Sequence, residues 1–372
     1  MANMMDYLMW RGDLPVRAAP WCAVDSLIMA SFCYNDLSDL AADGQGLPLR
    51  ELAPRLDLME RTGNQYFVQW RSLLYAMAES ERFGGMRVHD YVDTVDPERR
   101  MQFSAVTAEL DDGSTFVAFR GTDNTLVGWR EDFNMSYESP VPAQQSAVEY
   151  LERACLWAKG PLRVGGHSKG GNLAAYAAAH VSETAQRQLS GIYSFDGPGL
   201  DDETIAGAGY ARIRPALHSI IPQSSVVGLL MNYHADYTVV RAKAVSLLAH
   251  DAFTWQVLGP RFVEAGLTDA SRLMDETLHQ WLKQCDTAQR KEFVDTVFEL
   301  LSATEASTLA EISGEKLKSA AAILSATHGM DGETKRMFLR LIGQFLSIGA
   351  SNAWDMMTDR QRGQKLRPGA EA

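Results

Sequence analysis

The segment Gly166-His167-Ser168-Lys169-Gly170 constrains the fold of this chain more than any other feature. A short apolar stretch, Pro161 to Gly165, precedes it, and an alanine-rich stretch, Asn172 to Val181, follows it. This order predicts a strand, a sharp turn and a helix. A G-x-S-x-G pattern in that context carries its serine on a strained strand-to-helix turn, with the hydroxyl above the sheet edge. The sequence therefore predicts Ser168 as a nucleophile.

Strand and helix patterns alternate on both sides of this turn. The strand candidates are Met101 to Leu110, Ser114 to Arg120, Gly191 to Phe195, His218 to Pro222, and Tyr237 to Arg241. Helical spacing of apolar residues precedes them, at 21–34 and 69–81. Strands that alternate with helices favour a mostly parallel sheet covered on both faces. We therefore predict an α/β fold, specifically the α/β-hydrolase fold.

The C-terminal part of the chain has a different pattern. Beyond about Gly259 the strand signals disappear, and apolar residues recur at helical spacing, as at Phe293 and Val297. We predict a hydrolase domain of residues 1–259 and a helical C-terminal region of residues 260–372. The glycine- and alanine-rich segment from Asp201 to Arg214 is a candidate lid.

Composition limits the partners. The formal net charge is −12, without long runs of like charge, which argues against nucleic acid and anionic membranes. The four cysteines lie far apart and match no zinc-ligand spacing, so we expect no disulfide scaffold, metal site or dissociable cofactor. No apolar stretch is long enough to span a bilayer, and no signal peptide is recognisable. We expect a cytoplasmic protein, and the sequence leaves its oligomeric state open.

Two positions are suited to stabilising an oxyanion. The backbone N–H of Lys169 opens the helix after the nucleophile and has no partner within that helix. Thr122 follows Gly121, where the strand from Thr115 breaks, and a second donor is expected from a loop after an earlier strand. We expect the Lys169 side chain to be solvated rather than to act as a base.

Two blocks together resemble the class 3 lipases. These are Phe119-Arg-Gly-Thr122, followed by Trp129-Arg-Glu-Asp132, and the segment Gly166 to Gly170. The resemblance covers roughly residues 100–255 and implies that the first block carries the oxyanion residue and the second the nucleophile. A broader similarity, from the Tyr7 to Asp13 segment through the His250 to Trp255 segment, is to a bacterial family of unknown function related to those lipases. It implies a hydrolase fold but no substrate.

The base should follow the nucleophile and the acid in chain order. His250 follows the last strand-like segment of the predicted sheet and lies in a block that resembles the histidine region of the related family. His180 lies on the helix that leaves Ser168 and should point away from the turn. His218 and His234 are expected to have structural or surface roles. We therefore predict His250 as the base.

The acid is less directly indicated. Class 3 lipases place an aspartate in a loop whose counterpart here, Ile221 to Gly228, contains no carboxylate. Asp196, at the end of the strand that follows the nucleophile helix, is a substitute position used by some lipases, and there it could orient His250. Asp196 also precedes Gly-Pro, so a role in turn formation is the alternative. Asp236 is the second candidate for the acid.

Taken together, these residues predict a serine hydrolase that acts on a small-molecule or lipid ester through an acyl-enzyme on Ser168. A thioesterase or an amidase would use the same residues. The missing loop carboxylate and the long helical C-terminus leave one alternative of another class, a non-catalytic binding or interaction protein with a hydrolase fold.

Overall fold

The structure, a computed structural model, describes residues 2–38, 46–56, 65–122, 126–231, 237–302 and 332–365. The helices are α1 Met4–Arg11, α2 Ala23–Phe32, α3 Leu49–Leu52, α4 Gln65–Glu79, α5 Leu126–Asn134, α6 Pro142–Trp157, α7 Lys169–His180, α8 Glu183–Gln186, α9 Asp202–Ala206, α10 Ala208–Ile213, α11 Asp269–Gln284, α12 Thr287–Ser302 and α13 Gly332–Lys365. The strands are β1 Leu47–Pro48, β2 Arg87–Asp96, β3 Met101–Glu109, β4 Thr115–Phe119, β5 Leu162–His167, β6 Leu189–Phe195, β7 Leu217–Pro222, β8 Tyr237–Val240, β9 Val257–Leu258 and β10 Arg261–Phe262.

Strands β1 to β8 form one sheet in which spatial order follows chain order. Pairing is antiparallel from β1 to β4 and parallel from β4 to β8. Helices α6 and α7 lie in the crossovers from β4 to β5 and from β5 to β6, which parallel neighbours require. The carboxyl ends of β5, β6 and β7 therefore meet at one edge, and the predicted α/β fold with a mostly parallel sheet is confirmed.

Apolar layers cover both faces of this sheet. On one face, Leu27 of α2 and Leu74 of α4 pack with Phe195 of β6. On the other, Leu151 of α6 and Leu173 of α7 pack with strand residues. All are essentially excluded from water, and fully burying one such side chain contributes about 1.5 to 3 kcal/mol. Burial on both faces explains why the parallel strands have nearly continuous apolar sequences.

A buried ion pair ties down the N-terminal segment. The Arg82 guanidinium donates to both carboxylate oxygens of Asp25 at 2.6 Å, and both side chains are fully buried. Arg82 also donates to the backbone carbonyls of Leu14 and Ala19. Removing either partner would leave a buried charge uncompensated.

Strand β2 did not emerge from the sequence pattern. It carries several charged residues, such as Asp93, and most of its side chains are half-buried or exposed. Its pairing with β3 shifts register between His89 and Val92. A polar strand with an irregularity gives neither a clean alternation nor an apolar run, which are the signals that sequence reasoning uses.

The candidate lid segment is helical in the structure. Asp201 caps α9 by accepting from the Thr204 N–H at 2.9 Å, and Tyr210 of α10 is buried. A Cβ on Gly209 would lie 1.9 Å from the Ala179 carbonyl oxygen, so α10 packs closely on α7. The segment is therefore two packed short helices rather than the loop that its glycines suggested.

The chain forms two compact units, and the second comprises Thr268–Ala372 together with the short segment Asn124–Leu126. Strands β9 and β10 form a hairpin around Gly259, which has a φ of +58°, so the boundary expected at residue 259 falls on its turn. The division into residues 1–259 and 260–372 stays a prediction.

The second unit consists, in its described part, of α11, α12 and α13, as the helical spacing indicated. Trp281 lies at its centre, donating from Nε1 to the Leu341 carbonyl at 3.0 Å and meeting the Phe293 ring edge-on. In neither unit is a described helix both long and apolar enough to cross a membrane. The four cysteines are free thiols.

Candidate active site

Ser168 lies between β5 and α7 in a strained backbone conformation. Its φ is +59° and its ψ −134°, a region that residues with a Cβ rarely adopt. Glycines make the turn possible, because a Cβ on Gly166 would lie 2.3 Å from the Gly170 backbone and one on Gly170 would lie 2.1 Å from the Phe119 carbonyl oxygen. The structure therefore forms the strand-to-helix turn that the sequence predicted, with the serine at its apex.

The segment after β4 lies against this serine. A Cβ on Gly121 would lie 3.1 Å from the Ser168 Cβ and 2.6 Å from the His167 carbonyl oxygen. Thr122 follows directly, and its hydroxyl donates to Oδ2 of Asp132 on α5. Because that hydroxyl is engaged, the oxyanion role predicted for Thr122 would fall to its backbone N–H.

Asp196 and His250 are in direct contact. The Nδ1 of His250 lies 2.7 Å from Oδ2 of Asp196, and since an ionised carboxylate only accepts, the histidine donates. Asp196 is fully buried directly after β6 and has a φ of +49°. The two residues are 54 positions apart in the chain. This arrangement holds His250 in the tautomer whose Nε2 is free to accept a proton.

The loop after β7 holds the Asp196 carboxylate from its other side. Oδ1 accepts from the Ser225 hydroxyl at 2.5 Å and from the Gly228 N–H at 3.1 Å. A Cβ on Gly228 would lie 2.2 Å from that oxygen, so only glycine fits. The loop that carries no carboxylate of its own thus supplies donors to the carboxylate of the neighbouring strand.

The backbone around His250 is fixed by buried aromatic residues. Trp255 is fully buried and donates from Nε1 to the Ala249 carbonyl at 2.8 Å. His167 Nε2 donates to the His250 carbonyl at 2.7 Å, and the two imidazole rings lie 4.5 Å apart. The His250 side chain stays about a quarter exposed, at 23%. Its ring is therefore both anchored and accessible.

His167 is held neutral. Burial, with the nearby His250, lowers the pKa of His167 to about 3. Because Nε2 donates to a carbonyl, Nδ1 carries no proton and accepts from the Tyr34 hydroxyl, 3.2 Å away. Tyr34 in turn stacks on Trp70 at 4.4 Å. Sequence reasoning missed this chain of contacts because nothing local links Tyr34 to the turn.

Ser168 and His250 are not joined by a hydrogen bond. Among the described residues the Ser168 hydroxyl has no hydrogen-bond partner, although its backbone N–H donates to the Phe195 carbonyl at 2.9 Å. Such contacts are often long in a free enzyme and tighten when substrate binds.

The Lys169 side chain contradicts the expectation of a solvated lysine. It is fully buried, and Nζ donates to the Gln102 carbonyl at 2.8 Å, to Gln102 Oε1 at 2.9 Å and to Glu131 Oε2 at 3.0 Å. The expectation was wrong because β3 and α5 cover the first turn of α7, where buried acceptors replace water. The Lys169 backbone N–H opens α7 directly after Ser168, as predicted.

The remaining candidates lie elsewhere. His180 is exposed and bonds through Nδ1 to the Tyr176 carbonyl, and His218 is exposed and stacks on Tyr193. His234 and Asp236 lie outside the described residues. Across the part of the chain that the structure describes, no group of three or more His, Cys, Asp or Glu side chains could hold a metal ion.

Comparison with known proteins gives a family for this site. The family model described as Mbeg1-like matches residues 77–299, which is more than half of the chain and includes Ser168, Asp196 and His250. The chain belongs to the Mbeg1-like family. This confirms the expected relation to a lipase-related family, whereas the bacterial origin stays a prediction.

This Mbeg1-like chain also has a distant similarity to a solved structure. A solved structure titled "Crystal structure of M37 lipase" is 14% identical, covers 49% of this chain and 69% of that chain, and has a TM-score of 0.33. A superposition of that quality adds nothing to what the sheet order already shows about the fold. No curated protein matches the chain.

Proposed function

We propose that this Mbeg1-like protein is a serine hydrolase that cleaves carboxylic esters through an acyl-enzyme on Ser168. The observation that carries the proposal is the 2.7 Å contact between His250 Nδ1 and Asp196. It lies beside a serine held at a strained strand-to-helix turn. A histidine oriented by a buried carboxylate near such a serine is the arrangement that activates a hydroxyl nucleophile.

In this mechanism Ser168 Oγ attacks the ester carbonyl carbon while Nε2 of His250 takes the hydroxyl proton. The negative charge on the carbonyl oxygen meets the backbone N–H groups of Lys169 and Thr122. His250 then passes its proton to the departing alkoxide, which leaves as an alcohol. Water, deprotonated by His250, attacks the acyl-enzyme and releases the carboxylic acid and free Ser168. Asp196 stays ionised throughout and stabilises the imidazolium.

The substrate belongs to the small-molecule or lipid esters, and thioesters would follow the same steps. No step requires a metal ion or a cofactor, because attack, proton transfer and charge stabilisation are all assigned to side chains and backbone groups of this chain. A cytoplasmic location remains part of the proposal.

Fluorophosphonate labelling tests the proposal directly, since the probe phosphonylates only an activated serine. We expect labelling of the wild type at Ser168 and hydrolysis of p-nitrophenyl esters, measured from acetate to palmitate. The variant Ser168→Ala should lose both. Ser190→Ala, a change at an exposed serine at the start of β6, should keep both.

A non-catalytic binding role is the second candidate, favoured by the Ser168 hydroxyl having no partner among the described residues. It predicts a folded wild type that takes no fluorophosphonate label and turns over no ester of any chain length. That result would contradict the hydrolase proposal.

A further inference from the structure

Lys169 has a side chain whose burial the mechanism above does not explain. Its backbone N–H serves the oxyanion, yet its ammonium lies fully buried under the nucleophile turn. An apolar side chain of similar volume would fill that space without the desolvation cost of a charge. The burial of the charged ammonium therefore needs an explanation other than the filling of space.

The ammonium joins three elements. Its three hydrogens are directed to two oxygens of Gln102 on β3 and to Glu131 Oε2 on α5, at 2.8 to 3.0 Å. Glu131 is itself fully buried, and its carboxylate also accepts from the backbone N–H groups of Gln102, at 3.0 Å, and Ala143, at 2.9 Å. The cluster thus fixes the start of α7, where Lys169 lies, to α5.

The next residue on α5 connects this cluster to Thr122. Asp132 accepts the Thr122 hydroxyl through Oδ2, while its Oδ1 is buried and has no hydrogen-bond partner among the described residues. The Lys169 ammonium lies 3.8 Å from Oδ1, close enough to stabilise the carboxylate by charge alone. Lys169 therefore supplies one oxyanion donor, its own backbone N–H, and its ammonium acts on the second, the Thr122 segment, through Asp132.

We propose that the Lys169 ammonium is a positioning group that holds the two halves of the oxyanion hole together, its own N–H and the Thr122 segment. This inference rests on the proposed hydrolase function. A role for Lys169 as the general base does not fit, because all three ammonium hydrogens are taken by acceptors away from Ser168.

The charged and titratable groups around Asp132 determine the pH at which its carboxyl ionises. Burial disfavours the ionised carboxylate most strongly, and the neighbouring Glu131 adds to this, whereas Lys169 of α7, the Thr122 hydroxyl and His250 favour it. The buried phenol of Tyr34 also faces this carboxylate. The balance raises the pKa of Asp132 to about 6, so Asp132 is mostly ionised at pH 7. Without the ammonium the pKa of Asp132 would rise further, and a larger fraction of this carboxyl would be protonated at pH 7.

The test compares Lys169→Met, which removes the charge at similar volume, with Lys169→Arg, which keeps it. Exposed Lys159→Met is the matched control. For p-nitrophenyl butyrate we expect kcat of Lys169→Met to fall about 10²- to 10³-fold, as when an oxyanion donor is lost, with KM changed less than about threefold. Lys169→Arg should recover at least a tenth of kcat, and the control should match the wild type.

A second readout follows Asp132 itself. Its carboxyl carbon, observed by ¹³C NMR in Asp-labelled protein, should titrate about one pH unit or more higher in Lys169→Met than in the wild type. A purely structural lysine would lower the melting temperature without changing kcat per folded molecule. Folded Lys169→Met with wild-type kcat would overturn the inference.

If Lys169→Met does not fold, Gln102→Met decides the matter. It removes one acceptor of the ammonium but no charge, and the Gln102 amide nitrogen has no hydrogen-bond partner in the described structure. We expect kcat to fall about tenfold, in line with one lost hydrogen bond, and an unchanged kcat would refute the positioning role. If the wild type neither hydrolyses esters nor takes the fluorophosphonate label, the proposed function fails, whereas the Asp132 titration still reports whether the ammonium controls that carboxylate.

Discussion

Replacing Asp196 by asparagine changes one oxygen to an amide nitrogen and tests how His250 is oriented. The Gly228 backbone N–H can only donate to this side chain, and the Ser225 hydroxyl faces the same oxygen. The asparagine oxygen will therefore face Gly228, and its NH₂ group will face His250 Nδ1. Nδ1 must then accept, which moves the imidazole proton to Nε2. A histidine protonated at Nε2 cannot take the Ser168 proton.

The expected loss in kcat is large because the variant keeps its shape and loses the working tautomer. In a serine protease the corresponding change lowers kcat about 10⁴-fold. His250 here is about a quarter exposed, at 23%, so water can partly stabilise the active tautomer, which is protonated at Nδ1. We expect about a 10³- to 10⁴-fold fall, equivalent to about 4 to 5.5 kcal/mol in the activation free energy.

The assay is steady-state hydrolysis of p-nitrophenyl butyrate from pH 5 to 9, with circular dichroism to establish folding. Ser225→Ala serves as a milder companion, since it removes one of two donors to Oδ1 and leaves the tautomer unchanged; about a tenfold loss is expected. Asp196→Asn with kcat within tenfold of the wild type would refute the reasoning and turn attention to Asp236.

Three further changes test separate parts of the structure. Gly228→Ala should lower kcat at least about tenfold in the same ester assay, because the new Cβ would lie 2.2 Å from Asp196 Oδ1 and must displace it; an unchanged kcat would show that the loop yields instead. Arg82→Met should lower the free energy of unfolding in urea by about 3 to 5 kcal/mol by leaving Asp25 buried and unpaired, and a loss below about 1 kcal/mol would contradict this. Asp132→Asn should gain stability relative to the wild type as pH rises from 4 to 7, by up to about 3 kcal/mol. The reason is that the Asp132 pKa is raised from 3.8 to about 6 in the folded state, so ionising this carboxyl costs the wild type stability, whereas asparagine does not ionise. Parallel plots of unfolding free energy against pH for the two proteins would refute the shift.

The sequence predicts those parts of the site whose signals lie within short segments of the chain. The strained turn at Ser168 follows from two glycines between an apolar strand and an alanine-rich helix, and the structure forms it. Asp196 and His250 were singled out from chain order, strand ends and the resemblance to lipases, and the sheet brings them to 2.7 Å. Parallel strands end at one edge, so residues after different strands meet there whatever their separation in the chain.

Contacts that depend on tertiary packing were beyond the sequence. A lysine in the first turn of a helix is ordinarily solvated, and Lys169 is buried because Gln102 of β3 and Glu131 of α5 lie over that turn. Gln102 and Lys169 are 67 residues apart, and Tyr34 and His167 are 133 apart, so no local pattern records either contact. Neither contact can be predicted until the order of the strands in the sheet is known.

The missing carboxylate in the loop after β7 has a structural explanation that bears on function. Because β6 and β7 are parallel neighbours, a carboxylate at the end of either strand can reach the same histidine. In this chain β6 supplies the carboxylate as Asp196, and the β7 loop supplies its donors through Ser225 and Gly228. Burying a carboxylate costs desolvation free energy even when both oxygens accept hydrogen bonds, as those of Asp196 do. The burial of Asp196 is therefore not explained by a gain in stability. Under the proposed function, the absent loop carboxylate gives no support to a non-catalytic role, because Asp196 at the end of the neighbouring strand β6 contacts His250 instead.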